Sequence, residues 1–216
     1  MMTMMKTKTE KRELIMQYMD EILPNASCEL IYHKDYELLI AVMLSAQTTD
    51  KKVNKVTEVL FNRYPSLDAL KEAPLDVIED IIKEVGLFKN KSKNLKAIVN
   101  ALIERFDYKV PSDKDELMSM PGVGNKTAEV VRAELFKIPE FPVDTHVHRI
   151  SKRLGIASMD DDVVIAEAKL KAFFPKEKWI KLHHQFIHFG RYHCHAQNPQ
   201  CGTCKLCEIC KNIRKN

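Results

Sequence analysis

Three groups of residues have types and spacings that could do chemistry: a lysine behind a glycine hairpin, an aspartate at a helix start, and a late cluster of cysteines. Lys126 follows Met120-Pro121-Gly122-Val123-Gly124-Asn125. One helical pattern (112–119) runs into Pro-Gly-Val-Gly and another (127–136) runs out of it. Gly122 and Gly124 permit a tight reversal between them. Val123 can then plug the hairpin onto the core, leaving glycine N–H groups and a helix start to hold an anion, a DNA phosphate above all. Such a grip holds the backbone and does not read bases. A free lysine, with a pKa of ~10.4, is almost wholly protonated at neutral pH. Partial burial and the positive helix end would both lower that pKa, and an available amine beside a held phosphate could attack a sugar carbon to form a Schiff base. On these residues alone the plainer reading, one more phosphate contact, stands ahead of the nucleophile.

Asp144, in Pro142-Val143-Asp144-Thr145-His146, is well placed as a helix N-cap. A cap held rigidly can also stabilise a cationic sugar transition state or activate a nucleophile, so the two readings are compatible. Two prolines keep 137–143 extended, and that spacer is long enough to bring Asp144 to face Lys126. Of six cysteines, Cys28 stands alone and five crowd together as Cys194, Cys201, Cys204, Cys207 and Cys210. Four thiolates can hold zinc or an iron–sulfur cluster. Spacing leaves two ligand sets open, Cys194/Cys201/Cys204/Cys210 and Cys201/Cys204/Cys207/Cys210. Around them Arg191, Lys205, Lys211, Arg214 and Lys215 can offset thiolate charge and meet phosphates. His184 and His188 have i, i+4 ligand spacing beside His183, but without a carboxylate motif they read as packing residues. His146, His148, His193 and His195 read as polar packing or phosphate contacts, and Trp179 as core.

The elements that must position these groups are helices. The chain has 216 residues, 45% hydrophobic and 30% charged, with net charge +4; its pI is near 8.6. That composition is an ordinary globular one, which permits a polyanionic partner without requiring it. The start, Met1-Met2-Thr3-Met4-Met5-Lys6, lacks the apolar stretch of a secretory signal, and no apolar run approaches a membrane span. The expected compartment is the cytoplasm, where clustered cysteines point to metal rather than disulfides. Helical periodicity dominates: 9–23, an all-round apolar helix 36–47, then 49–64, 66–73, 75–85 closed by Gly86, 92–106, the hairpin pair, 144–154, 161–174 and 177–189. The segment Val85-Gly86-Leu87-Phe88 faintly echoes the hairpin and reads as a simple helix–helix turn.

Taken together and in register, Leu44-Ser45-Ala46-Gln47-Thr48-Thr49-Asp50, Val85-Gly86-Leu87-Phe88, Met120 to Ala128, Val143-Asp144-Thr145-His146, Gly190-Arg191-Tyr192-His193-Cys194 and the cysteine spacing resemble the endonuclease III family, the helix-hairpin-helix DNA glycosylases with a [4Fe-4S] cluster. The resemblance spans nearly the whole chain. It departs slightly, with Met120 in place of a commoner leucine and Cys207 as an extra thiol. It implies an all-α, two-lobed fold: a six-helix barrel with the hairpin motif over 27–137, and a helical iron–sulfur lobe joining 1–26 to 138–216, with the catalytic cleft between. It implies Lys126 as Schiff-base nucleophile, reversing the order above, and Asp144 as catalytic carboxylate. The cluster ligands become Cys194, Cys201, Cys204 and Cys210, with Cys207 a bystander. Gly122, Val123 and Gly124 become DNA contacts, Gln47 fills the gap left by an extruded nucleotide, and Leu87 wedges beside it.

The implied activity is that of a bifunctional glycosylase and abasic-site lyase of base excision repair, acting as a monomer on double-stranded DNA with an oxidised pyrimidine or an abasic site. In a bacterium it would be nucleoid-associated. Three rivals accompany this reading. A monofunctional mismatch or adenine glycosylase would lack the lysine at 126, a non-catalytic hairpin DNA-binding protein would need neither Lys126 nor Asp144, and a structural zinc protein would need only the cysteines.

Overall fold

The computed structural model describes residues 6–211; the Met1–Met5 start and the basic residues Arg214 and Lys215 lie outside them. Among the described residues the regular structure is wholly helical: eleven α-helices and three short 3-10 turns. Contacts divide the chain into two compact units, Glu29–Ile138 and a second that joins Met1–Cys28 to Pro139–Asn216.

The first unit holds α2 (Asp35–Leu44), α3 (Asp50–Arg63), α4 (Leu67–Glu72), α5 (Leu75–Ile82), α6 (Phe88–Arg105), α7 (Lys114–Met118) and α8 (Asn125–Phe136). It is arranged around α2. Residues 37–44 are all buried, and α3, α6 and α8 pack against that helix. A helix apolar on every side is stable only where neighbours cover every side. The core is completed by Val53, Leu60, Ile78, Ile82, Leu95, Ile98, Leu102 and Val131. Caps set the shorter elements: Ser66 accepts from Ala69 N at 3.1 Å, and Asp113 accepts from the amides of Asp115 and Glu116.

Several helix ends differ from the sequence reading: α6 begins at Phe88, a turn before the expected 92, and α11 runs on to Tyr192. The pattern 36–47 overruns α2 by a turn, because the chain leaves the helix at Ser45 and Gln47 takes the left-handed region, φ 56°. Gly86 does not close α5, which ends at Ile82. The left-handed residue there is Leu87, φ 58°, the N-cap of α6.

The second unit holds α1 (Lys8–Ile22), α9 (Thr145–Arg153), α10 (Val163–Phe173) and α11 (Trp179–Tyr192). Thr7 and Glu10 form a reciprocal capping box on α1. The core joins Ile15 and Met19 of α1 to Val147, Ile150, Leu170, Leu182 and a ring cluster. Phe141 stacks on Phe174 at 6.1 Å and meets Phe186 edge-on at 5.9 Å. Gly190 lets α11 approach α9, since a Cβ there would stand 2.8 Å from that of His146. Trp179 packs against this core and donates from Nε1 to the Phe174 carbonyl at 3.0 Å. No helix among the described residues is long and apolar enough to cross a membrane.

Candidate active site

The hairpin is built as a short helix, a left-handed glycine and a longer helix. Met120 and Val123 are buried, which pins the turn to the core of its unit, and Val123 N donates to Met120 O at 3.1 Å. Gly122 has φ 82°, and an added Cβ would lie 2.5 Å from Asn94 Nδ2, so both its dihedral and the α6 side chain against it require glycine. Gly124 has open space around it and forms the N-cap of α8. The second helix begins at Asn125, so Lys126 lies in its first turn. Lys126 is exposed. Sequence reasoning expected partial burial; the buried side of α8 begins only at Ala128.

Asp144 is half-buried and is the N-cap of α9: its Oδ1 accepts from Val147 N at 2.8 Å. The cap fixes the carboxylate and leaves its other oxygen for a further partner. Two residues on, burial draws the His146 pKa below its ordinary value, with Asp144 opposing that shift. The neutral imidazole is therefore favoured.

Gln47 and Leu87 lie in two loops of the first unit, and both have positive φ without being glycine, as Asp107, Tyr108 and Lys137 also do. Leu87 is 65% exposed. A left-handed leucine costs about 1–2 kcal/mol, and an exposed apolar side chain held at that cost is a functional signal. Between the two loops lies a residue the sequence reading passed over. Lys91, buried on α6, donates to Leu44 O at 2.9 Å, Ala46 O at 2.7 Å and Thr48 Oγ1 at 3.1 Å. In a helix this basic, a lysine reads as one more solvated charge, and no local pattern marks it. Lys96, one turn further along, donates to the carbonyls of Leu70, Lys71 and Ala73 at the end of α4. Burial lowers the pKa of both lysines.

The five late cysteines line one cavity, whose walls also include Tyr18, Ile150, Leu154, Phe189 and Leu206. Arg153 Nη1 donates to Cys194 Sγ at 3.1 Å and to His195 O at 2.7 Å. Arg149 Nη2 donates to the carbonyls of Gly190 and Cys194. Burial pushes the Cys204 thiol up to about 11, so a thiolate at that position needs a strong positive partner, as a bound metal supplies. Cys207 Sγ is turned to the Cys201 carbonyl at 2.9 Å. Among the described residues no three His, Cys, Asp or Glu side chains converge as on a single metal ion; the thiols surround a volume instead. Of the basic residues nearby, Lys205 pairs with Glu21 at 2.5 Å, and the Lys211 stem lies against Gly155. His183 and His184 are buried, and His188 Nε2 bonds the Ser27 carbonyl at 3.0 Å.

Residues 40–176 match the family model described as the HhH-GPD superfamily base excision DNA repair protein. The chain is 44% identical to endonuclease III of Bacillus subtilis (strain 168), across 94% of this chain and 93% of that protein. It is 37% identical to endonuclease III of Escherichia coli (strain K12), across 95% and 97%. Among solved structures it superposes on a trapped endonuclease III–DNA covalent intermediate, an estranged-adenine complex, with TM-score 0.90 and 46% identity over 96% of this chain and 97% of that one. A thermostable thymine-DNA glycosylase at 21% identity and TM-score 0.81 shares the fold. The hairpin, the capped aspartate and the thiol-lined cavity are thus features of a chain that belongs to the HhH-GPD superfamily of base excision DNA repair proteins, and within it to the endonuclease III family.

Proposed function

We propose that this protein is a bifunctional DNA glycosylase and abasic-site lyase that excises oxidised pyrimidines from double-stranded DNA. The observation that carries this reading is Lys126, an exposed amine on the first helical turn after the phosphate-binding hairpin, in a chain of this family. A covalent protein–DNA intermediate in a relative 46% identical supports it.

A base inside a duplex is out of reach, so the nucleotide is flipped out at a cost of a few kcal/mol, least where damage has weakened pairing or stacking. The amides of Gly122 and Gly124 hold the backbone, on a turn that Val123 anchors through its buried side chain and its bond to Met120 O; Gln47 fills the vacated stack and Leu87 wedges beside it. Asp144 stabilises positive charge growing on the sugar as the C1′–N bond breaks and the base departs with the bonding pair. The Lys126 amine supplies a new pair to C1′ and loses a proton; the C1′–O4′ bond then breaks, O4′ keeping the pair and taking a proton as the ring opens, and the Schiff base forms. Removal of a C2′ proton then drives β-elimination: the C3′–O bond breaks, the phosphate leaves, and the strand is cut 3′ to the lesion.

The Cys194–Cys210 segment fits a [4Fe-4S] cluster held by Cys194, Cys201, Cys204 and Cys210. Thiols surrounding a volume suit a cluster in which each iron takes one thiolate, more than one zinc ion gripped at a point. The bond of Cys207 to the Cys201 carbonyl supports its place outside the ligand set. When bound, the cluster supplies cross-linking of the segment rather than a step of the reaction. A reducing cytoplasm suits these thiolates, and the protein works there as a monomer.

Borohydride trapping on a duplex with one thymine glycol tests the reading. Wild type is expected to give a covalent adduct and Lys126→Ala none; a folded, cluster-loaded wild type that gives none would overturn lyase chemistry. In Asp144→Asn, asparagine still caps α9, so the melting temperature hardly moves. Base release should fall by about 10²–10⁴; an unchanged rate would reduce Asp144 to a cap.

A further inference from the structure

Helix α6 carries more than its own hydrophobic face. Leu87 is its N-cap, Lys91 lies one turn on, and Asn94 a turn beyond that, a spacing that puts all three along one side. Each meets a different loop: Leu87 is itself exposed, Lys91 binds the chain at 44–48, and Asn94 lies against Gly122. The chain at 44–48 needs such help. Helix α2 ends with no glycine to turn its backbone, and of its last carbonyls Ala41 and Val42 are met by Ser45 N. Leu44 O and Ala46 O are met by Lys91, on either side of Ser45 and one residue short of Gln47. A buried lysine with three acceptors is a rigid tie, because leaving any of them unmet in the interior is costly.

We propose that Lys91 is a positioning residue for base extrusion: it ties the Gln47 loop to the helix that carries Leu87, so that both side chains enter the duplex as one frame. This rests on the functional reading above, in which Gln47 and Leu87 contact DNA. Lys91 touches no DNA itself. Its effect is to keep a left-handed glutamine at one fixed place relative to a left-handed leucine. Loosening the tie leaves each side chain present but mislocated, and a misplacement of about 1 Å can cost 10²-fold in rate.

Lys96 offers a matched control on the same helix: an equivalent set of carbonyl bonds, made to the end of α4. The test is single-turnover release of thymine glycol from a duplex, using the full-length chain as wild type, Lys91→Met, Lys96→Met, Gln47→Ala and the Lys91→Met/Gln47→Ala double variant, with thermal unfolding of each. Fluorescence of a 2-aminopurine beside the lesion reports extrusion directly. Lys91→Met should slow release and extrusion on the order of tenfold to a hundredfold. Lys96→Met should stay within about twofold of wild type even where its stability falls as far. The double variant should be no slower than Gln47→Ala alone, as residues acting through one another are not additive. Equal losses in the two lysine variants, or losses that multiply in the double variant, would reduce Lys91 to ordinary structure and overturn the proposal. Should Lys91→Met not fold, Lys91→Gln carries the same comparisons. A wild type that releases no base would overturn the functional reading itself.

Discussion

The stretches 44–48 and 194–211 both begin where a helix ends, and they are held in opposite ways. The first leaves a helix buried over 37–44, spends only five residues, and is fixed by the protein's own groups: Lys91 on its carbonyls and Ser45 on those of the preceding turn. It even tolerates a left-handed glutamine. The second has Leu206 as its one buried residue. Its backbone is tied by i to i+3 bonds of short 3-10 turns, and Arg149 and Arg153 hold the carbonyls of Cys194 and His195. What it encloses is a cavity lined with thiols. A polypeptide can therefore fix a strained loop without help when a buried donor stands behind it. A segment with one apolar anchor needs a bound group to be rigid.

The largest effect should come from removing that group. Cys204→Ser, read by amide hydrogen exchange, should strip protection from 194–211 while leaving 87–105 and 125–136 as protected as before. Unchanged protection at 194–211 would show the arginines to be sufficient and erase the contrast. Smaller is the cost of Gly122→Ala. With φ at 82° and Asn94 in the way, it should lower stability by about 1–3 kcal/mol in urea unfolding, and a loss below that range would mean the hairpin flexes. Smallest is Leu87→Gly. It relieves a left-handed leucine and should raise the stability of the free protein by up to about 1 kcal/mol, while slowing base release. A variant that is both more stable and as fast would show the strain to serve no purpose.

The helical plan was legible because caps and apolar periods are local signals: Asp144 caps the helix that follows, as its place before Thr145 suggests. The hairpin was legible for the same reason, since Pro-Gly-Val-Gly names its own backbone. Lys126 and Asp144 could be singled out as side chains, but the exposure of Lys126 could not, because it depends on where the buried side of α8 begins. Lys91 was invisible. Its partners lie about forty-five residues away, and nothing in a run of lysines separates one that reaches inward from those that face water. The strain at Gln47 and Leu87 was hidden likewise, as both look like ordinary helix formers.

Helix α2 ends without a glycine because its capping is done from another helix. A helix that caps itself must give the next few positions to residues that can turn the backbone, usually glycine or asparagine. Here a distant lysine meets the Leu44 and Ala46 carbonyls, so the chain at 45–47 need not supply donors for them, although position 47 still takes the left-handed region. The consequence is a division of mutability: position 47 can change among side chains that accept the left-handed region so long as position 91 does not. Altered recognition at the Gln47 loop can then evolve without redesign of the helix beneath it.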